Sequence, residues 1–218
     1  MTQRLHPATV ALVLVLPLAF LGVAVAANLI TGVPFGDISR EPQVTLDGPA
    51  LVGIQSNLGV LLMWTATSVS LFAYSVLRRR PVSPVRPTYF LWAGLISGLL
   101  GLDDLLLLHD DIIIDVLGVH QRLTMLAYAG ICVLFALAYR RTILGSSSLP
   151  LLVLAVFMLA GSIAIDQTSK WWADPNLRIF FEDGSKLIGI TAWTAFFTRD
   201  AFYAVSAVSD RSASGDTR

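Results

Sequence analysis

The chain has 218 residues, of which 55% are hydrophobic and 14% are charged, and its formal net charge is zero. This is too apolar for an ordinary soluble domain, and without a basic stripe the sequence gives no support for nucleic-acid binding. Cys132 is the single cysteine, which excludes an internal disulfide and a zinc site made of several cysteines. Composition therefore predicts an all-α, polytopic membrane helical bundle.

Runs of about 20 apolar residues are long enough to cross a bilayer as helices. Six such segments are predicted, at residues 9–30, 51–77, 89–117, 120–139, 149–168 and 179–204. The third segment is long for one span and leads directly into the fourth, which predicts a tight hairpin near Gly118. Residues 1–208 are expected to form one transmembrane domain, followed by a disordered tail at 209–218.

The first segment has two interpretations. Arg4, an apolar run and the small residues at 24–27 together fit a secretory signal peptide that would be removed. The apolar run is longer than the usual signal core, which favours a retained first helix. N-terminal sequencing that begins at Ala27 would show cleavage of residues 1–27.

Arginines are concentrated in two connections, and cytoplasmic loops of membrane proteins carry an excess of basic residues. The arginines in question are Arg78, Arg79, Arg80 and Arg86 in one connection and Arg140 and Arg141 in the other. With six spans, this distribution predicts a multi-pass protein of the inner membrane with both termini in the cytoplasm.

The third segment carries a cluster of carboxylates inside apolar sequence, from Asp103 through Asp110 to Asp115. Acidic side chains in a membrane are costly and mark functional sites by default. On a continuous helix all five aspartates, including Asp104 and Asp111, fall within about 140° of one another. His109 would then lie nearly opposite that face.

A second charged group opens the sixth segment, where Glu182, Asp183 and Lys186 share one helical face. Glu182 has the i,i+4 spacing that favours pairing with Lys186, although acids in a first turn also stabilise the helix dipole without further function. We expect this group to face Asp103 and Asp104 across a helix contact, because unmatched charges in hydrocarbon are costly.

The favoured hypothesis is an outward-facing acidic site that binds a metal ion or protons and belongs to a hydrolase or transferase, in which a divalent metal activates water against a membrane lipid. Oxygen ligands favour magnesium, calcium or manganese before zinc. The candidate catalytic residues are Asp103, Asp104, His109, Glu182, Asp183 and Lys186. The candidate metal ligands are Asp103, Asp104, Asp110, Glu182 and Asp183.

Two further hypotheses use the same residues differently. In a proton- or cation-coupled transporter the carboxylates would bind the ion and Lys186 would be their counter-charge. Against it, the cytoplasmic half of the predicted bundle offers only scattered hydroxyl groups, such as Thr65 and Ser70. In a non-catalytic membrane subunit or sensor, ion pairs would merely fix helix register. Membrane lipids, a second copy of the chain or a membrane partner subunit are the expected partners.

Overall fold

The computed structural model describes residues 22–23, 25–33, 53–80, 85–108, 118 and 120–213. Within these residues the chain is helical without β-strands, which confirms the predicted helical membrane bundle. The chain divides into two compact units, Met1–Val52 and Gly53–Arg218, where one domain over 1–208 is predicted. The boundary falls between Val52 and Gly53, just after the polar stretch 31–50.

The second unit contains six α-helices in its described part. They are α1 (Ile54–Leu77), α2 (Pro87–Leu106), α3 (Gln121–Ala138), the short α4 (Arg140–Leu144), α5 (Leu149–Gln167) and α6 (Pro175–Ala213), with a 3₁₀ turn at Ser169–Trp171. In the first unit residues 25–31 are helical, inside the first predicted span. The rest of that span and its cleavage site lie mostly outside the described residues.

The helix ends follow from local backbone chemistry. Gly53 precedes α1 with a φ of 71°, a conformation that glycine adopts without a steric penalty. Pro87 is the first residue of α2, where its missing N–H costs nothing and its fixed φ suits a helix. The side chain of His120 accepts a hydrogen bond from the Arg122 N–H and caps α3.

The prediction of a continuous third span over 89–117 is wrong at its carboxyl end. Helix α2 ends at Leu106, because Leu107 adopts left-handed backbone angles, with φ 50° and ψ 41°, and its N–H bonds the Asp103 carbonyl. A left-handed residue ends an α-helix. The predicted single helical face therefore cannot continue regularly past Leu106. Residues 109–117, including His109, Asp110, Asp111 and Asp115, lie outside the described residues.

Helix α1 is the centre of the packing, since it lies against both α2 and α6, and α6 also packs against α5. The approach of α2 to α1 depends on glycine, as the sequence spacing suggests. A Cβ at Gly94 would stand 2.9 Å from the Leu71 side chain, and one at Gly101 would stand 2.9 Å from Met63 Cβ. Any larger residue at either position would push the two helices apart.

In the described part of the chain, four helices are long and apolar enough to cross a membrane, namely α1, α2, α3 and α5. Much of α3 and α5 is exposed apolar surface, including Leu126 and Leu134 on α3 and Phe157 on α5. Exposed apolar surface of this extent is typical of lipid-facing helices. These helices agree with four of the six predicted spans.

Helix α6 contains the sixth predicted span, 179–204, but does not meet the same apolarity criterion. Charged residues near its start and Arg199 and Asp200 within it lower its mean hydropathy. Its inward face is nevertheless buried at Ile190, Trp193 and Phe197. The helix continues to Ala213, into the segment for which a disordered tail is predicted; residues 214–218 lie outside the described residues.

Candidate functional site

The carboxyl end of α2 carries an ion pair with α6. Lys186 donates from Nζ to Asp104 Oδ1, which agrees with the predicted approach of the two charged groups. Asp104 lies in the last turn of α2, and its side chain is 11% exposed, whereas that of Lys186 is 39% exposed. The carboxylate is thus the more buried member of the pair, and the lysine is the more exposed one.

The ion pair borders a cavity of about 90 Å³ between α1, α2 and α6. Its polar lining consists of Gln55, Ser56, Asp104, Asp183 and Lys186. A site for one water needs only about 10–15 Å³ of such space, so the cavity is large enough for a small ion with a few waters. We call this space the Asp104 cavity.

Asp104 Oδ2 is buried and has no hydrogen-bond partner among the described residues. Buried polar atoms are normally satisfied, and a buried carboxylate oxygen without a donor costs free energy. The position of Gly59 keeps space beside this atom, because a Cβ there would stand 3.7 Å from Oδ2. The arrangement leaves one acceptor of Asp104 open for a ligand.

Asp103 belongs to a different contact from the one predicted. Tyr128 of α3 donates a hydrogen bond to Asp103 Oδ1 at 2.9 Å, and Asp103 is buried. Consecutive residues on a helix point about 100° apart, so Asp103 faces α3 while Asp104 faces α6. The expectation that both aspartates face the charged group of α6 is therefore wrong for Asp103.

Glu182 is also directed elsewhere. Arg178, one turn earlier on α6, forms an ion pair with Glu182, and its Nη1 also lies 3.6 Å from Asp166 Oδ1 of α5. Arg178 is therefore the partner of Glu182, where the sequence spacing suggested Lys186. Asp183 remains with Lys186 on the wall of the Asp104 cavity.

The described residues contain no group of three or more His, Cys, Asp or Glu side chains that could hold a metal ion. Of the predicted ligands, Asp103, Asp104, Glu182 and Asp183 are described, and they separate into three different contacts. Asp110, as a predicted ligand, and His109, as a predicted catalytic residue, lie outside the described part of the chain.

The other end of the α2–α6 pair contains a polar site that sequence reasoning missed. Tyr89 donates a hydrogen bond to Asp200 Oδ2 at 3.0 Å, and Ser146 donates to Asp200 Oδ1 at 2.5 Å. Tyr89 is fully buried. Within the described residues Asp200 has no ion-pair partner, and Arg199 is instead over the ring of Tyr203. The earlier expectation of only scattered hydroxyls at this end is corrected by this carboxylate.

Asp200 and Tyr89 lie on the wall of a cavity of about 250 Å³, which we call the Asp200 cavity. Its other polar lining residues are Thr142, Ser146, Ser147 and Tyr203. The signal that could have revealed Asp200 is its position in an apolar helix at a spacing of two heptads from Lys186. Its neighbours Thr198 and Arg199 made it resemble the polar end of a span.

A third polar contact lies between the two ends. Trp193 Nε1 donates to Ser97 Oγ at 2.9 Å, and both residues are buried. Phe197 packs against Trp193 with ring centroids 5.0 Å apart and also against Tyr89, at 6.1 Å. The indole and these rings fill the space between the Asp104 cavity and the Asp200 cavity.

Fold and site together define a helical membrane protein with buried polar contacts between two of its helices. The sequence model of one protein family matches residues 9–199, and the chain belongs to that family, which is described as a domain of unknown function (DUF8692). No curated protein and no solved structure matches the chain.

Proposed function

We propose that this protein binds one proton or one monovalent cation at Asp104 inside the membrane, and that ion-coupled transport or sensing is its function. The observation that carries the proposal is the buried, unpartnered Oδ2 of Asp104 on the wall of a small polar cavity. A proton or a small cation satisfies that oxygen without displacing Lys186 from Oδ1.

The charges around the cavity support a ligand of charge +1. Asp104 and Asp183 contribute two negative charges and Lys186 one positive charge, so the lining carries a formal charge of −1. One proton or one monovalent cation neutralises this set, whereas a divalent ion would leave an excess positive charge in a region where charge is costly.

The metal-dependent lipid enzyme receives less support from the geometry. Three of its predicted ligands are engaged separately, Asp103 by Tyr128, Glu182 by Arg178 and Asp104 by Lys186. A magnesium, calcium or manganese site would have to draw on His109 and Asp110. The metal content of the protein decides between the two proposals.

The proposed location is the inner membrane, with lipid around the exposed faces of α3 and α5 and with both termini in the cytoplasm. The arginines that precede α2 and those at the start of α4 support this orientation. It places the carboxyl end of α2 and the Asp104 cavity toward the outside. A C-terminal reporter that is active only in the periplasm would contradict it.

Ion binding can be measured by thermal unfolding of the detergent-purified protein in Na⁺, K⁺ or Li⁺ and over a range of pH. A ligand at about 100 times its Kd stabilises the folded state by about 2.7 kcal/mol. We expect stabilisation by protons or by one of the three cations, and loss of this response in Asp104→Asn. Elemental analysis of the same samples gives the divalent metal content.

Two matched variants sharpen the test. Asp174 is exposed and caps the start of α6 through the N–H groups of Asn176 and Leu177, so Asp174→Asn keeps the cap and removes one negative charge. It should respond to ions like the wild type. Glu182→Gln should also respond normally under our proposal. Stoichiometric divalent metal that is lost in both Glu182→Gln and Asp104→Asn would overturn the proposal in favour of the enzyme.

A further inference from the structure

The three polar contacts between α2 and α6 recur at a constant spacing. On α6 the residues involved are Lys186, Trp193 and Asp200, which are seven residues apart. Seven residues are close to two helical turns, so the three side chains lie on one face of α6. Their partners on α2 follow in the reverse order, Asp104, Ser97 and Tyr89, as antiparallel helices require.

The outer two contacts are carboxylate sites, and each borders its own cavity. Lys186 and Asp200 are 14 residues apart, which corresponds to about 21 Å along the helix axis. The hydrocarbon core of a bilayer is about 30 Å thick, so the two carboxylate sites are close enough together to fit within it. The two cavities share no lining residue.

The middle contact closes the space between the cavities. Trp193 is 5% exposed and Phe197 is fully buried, and neither side chain can take up a proton. The indole N–H is held by Ser97 Oγ. The direct way from one cavity to the other along the α2–α6 contact therefore passes through this layer.

The Asp200 site differs from the Asp104 site in its charge balance. The groups that face Asp200 are the hydroxyls of Tyr89 and Ser146, and Tyr203 lines the same cavity. Arg199 points to the ring of Tyr203 and gives Asp200 no ion pair. A carboxylate that receives only neutral donors in a cavity attracts a positively charged ligand.

We propose that Asp200, with Tyr89 and Ser146, is a second site for the same proton or monovalent cation, on the opposite side of the Trp193–Phe197 layer. This inference rests on the proposed ion binding at Asp104. The two carboxylates are then the half-sites of one pathway across the bundle, each open to its own cavity, and the layer between them is the barrier that must rearrange for the ion to pass.

The test uses the full chain reconstituted into lipid vesicles. Proton flux is followed with an internal pH dye under an imposed pH gradient, and cation flux is followed with radioactive Na⁺. We expect Asp200→Asn to lower the flux by about tenfold or more, the loss expected for one charge-assisted interaction. In detergent, its thermal response to the ion at the Asp104 site should remain. Arg199→Gln, beside it on the exposed face, should conduct like the wild type.

The outcomes for the two proposals are separable. Wild-type flux in Asp200→Asn, or no proton or Na⁺ flux through the wild type, overturns the second site while ion binding at Asp104 stands. An unchanged ion response in Asp104→Asn overturns the proposed function itself. Flux of protons alone identifies the ligand as the proton, and Na⁺ flux identifies it as the cation.

Discussion

The two ends of the α2–α6 pair stabilise a carboxylate in an apolar bundle in different ways. At the carboxyl end of α2, Asp104 is compensated by the ammonium group of Lys186 beside a cavity of about 90 Å³. At the amino end, Asp200 is held by two neutral hydroxyls beside a cavity of about 250 Å³. The Asp104 site contains its own counter-charge. The Asp200 site has hydroxyl donors instead, together with any ion that enters its cavity.

If both carboxylates bind the ion as proposed, a site with a built-in counter-charge and a site without one lie on opposite sides of the Trp193–Phe197 layer. Passage of the ion from one site to the other would then depend on movement of that layer.

The largest effect is expected from removing the barrier. Phe197→Ala deletes a fully buried ring that contacts Tyr89, Phe135 and Trp193, and such truncations cost about 3–5 kcal/mol of unfolding free energy. If the layer separates the sites, the variant should also leak ions through vesicle membranes. Phe196→Ala is the matched control, because Phe196 is equally buried and its ring packs on Phe197. Phe196→Ala should lose a comparable amount of unfolding free energy without making the vesicles leak ions. Equal ion leaks in both variants would contradict the barrier role.

The sequence predicted the two ends unequally, for physical reasons. Periodic apolar runs located α1, α3 and α5 within a few residues, since burial in lipid demands long apolar helices. Asp104 and Lys186 were found because acids and lysines in apolar sequence are rare. The end of α2 was missed because a leucine occupies the left-handed position, where glycine is the usual signal.

The partner choices could not be predicted from spacing alone. Glu182 has suitable spacing to Arg178 and to Lys186, four residues on either side. In the structure Asp166 of α5 approaches Arg178, and Asp104 of α2 pairs with Lys186, so Glu182 pairs with the arginine. Tyr128 as the donor to Asp103 depends on how α3 returns along α2. Such contacts between helices are set by packing, which hydrophobic periodicity does not encode.

The second effect in size is the removal of the built-in counter-charge. Lys186→Met leaves Asp104 buried without its cation. Deleting one partner of a buried pair costs about 3–5 kcal/mol, while exposed pairs contribute about 1 kcal/mol or less. Because Lys186 is 39% exposed, this pair lies between the buried and the exposed cases. We therefore expect Lys186→Met to lose about 2 kcal/mol of unfolding free energy, more than Asp104→Asn loses.

Thermal unfolding of the two purified variants in detergent measures the difference between them. Equal stability of Lys186→Met and Asp104→Asn would show that Lys186 is not the counter-charge.

A smaller effect is expected at the other end, where the donors are neutral. Tyr89→Phe keeps the ring contacts with Phe90 and Phe135 and removes one hydrogen bond to Asp200, while Ser146 still donates. A hydrogen bond to a charged group contributes about 1.5–3 kcal/mol, and the remaining donor should hold the loss of unfolding free energy to about 1.5 kcal/mol. Thermal unfolding of the purified variant measures it. A loss equal to that of Lys186→Met would mean that the two ends are not compensated differently.

The smallest change in unfolding free energy is expected from one added methyl group beside Asp104. The same change should affect ion binding at the Asp104 site selectively. In Gly59→Ala the new Cβ would stand 3.3 Å from Ile190 Cδ1 and 3.7 Å from Asp104 Oδ2. Alanine favours a helix over glycine by about 1 kcal/mol, and the tight contact with Ile190 offsets part of that gain, so stability should change by about 0.5 kcal/mol or less. The methyl group nevertheless occupies the space beside the open carboxylate oxygen, and ion affinity should fall.

Gly130→Ala on α3 provides the control, since no atom lies within 4 Å of its added Cβ and ion binding should not change. Ion titrations followed by thermal unfolding compare the two variants. Equal ion affinity in both would show that the ligand does not bind at Asp104 Oδ2.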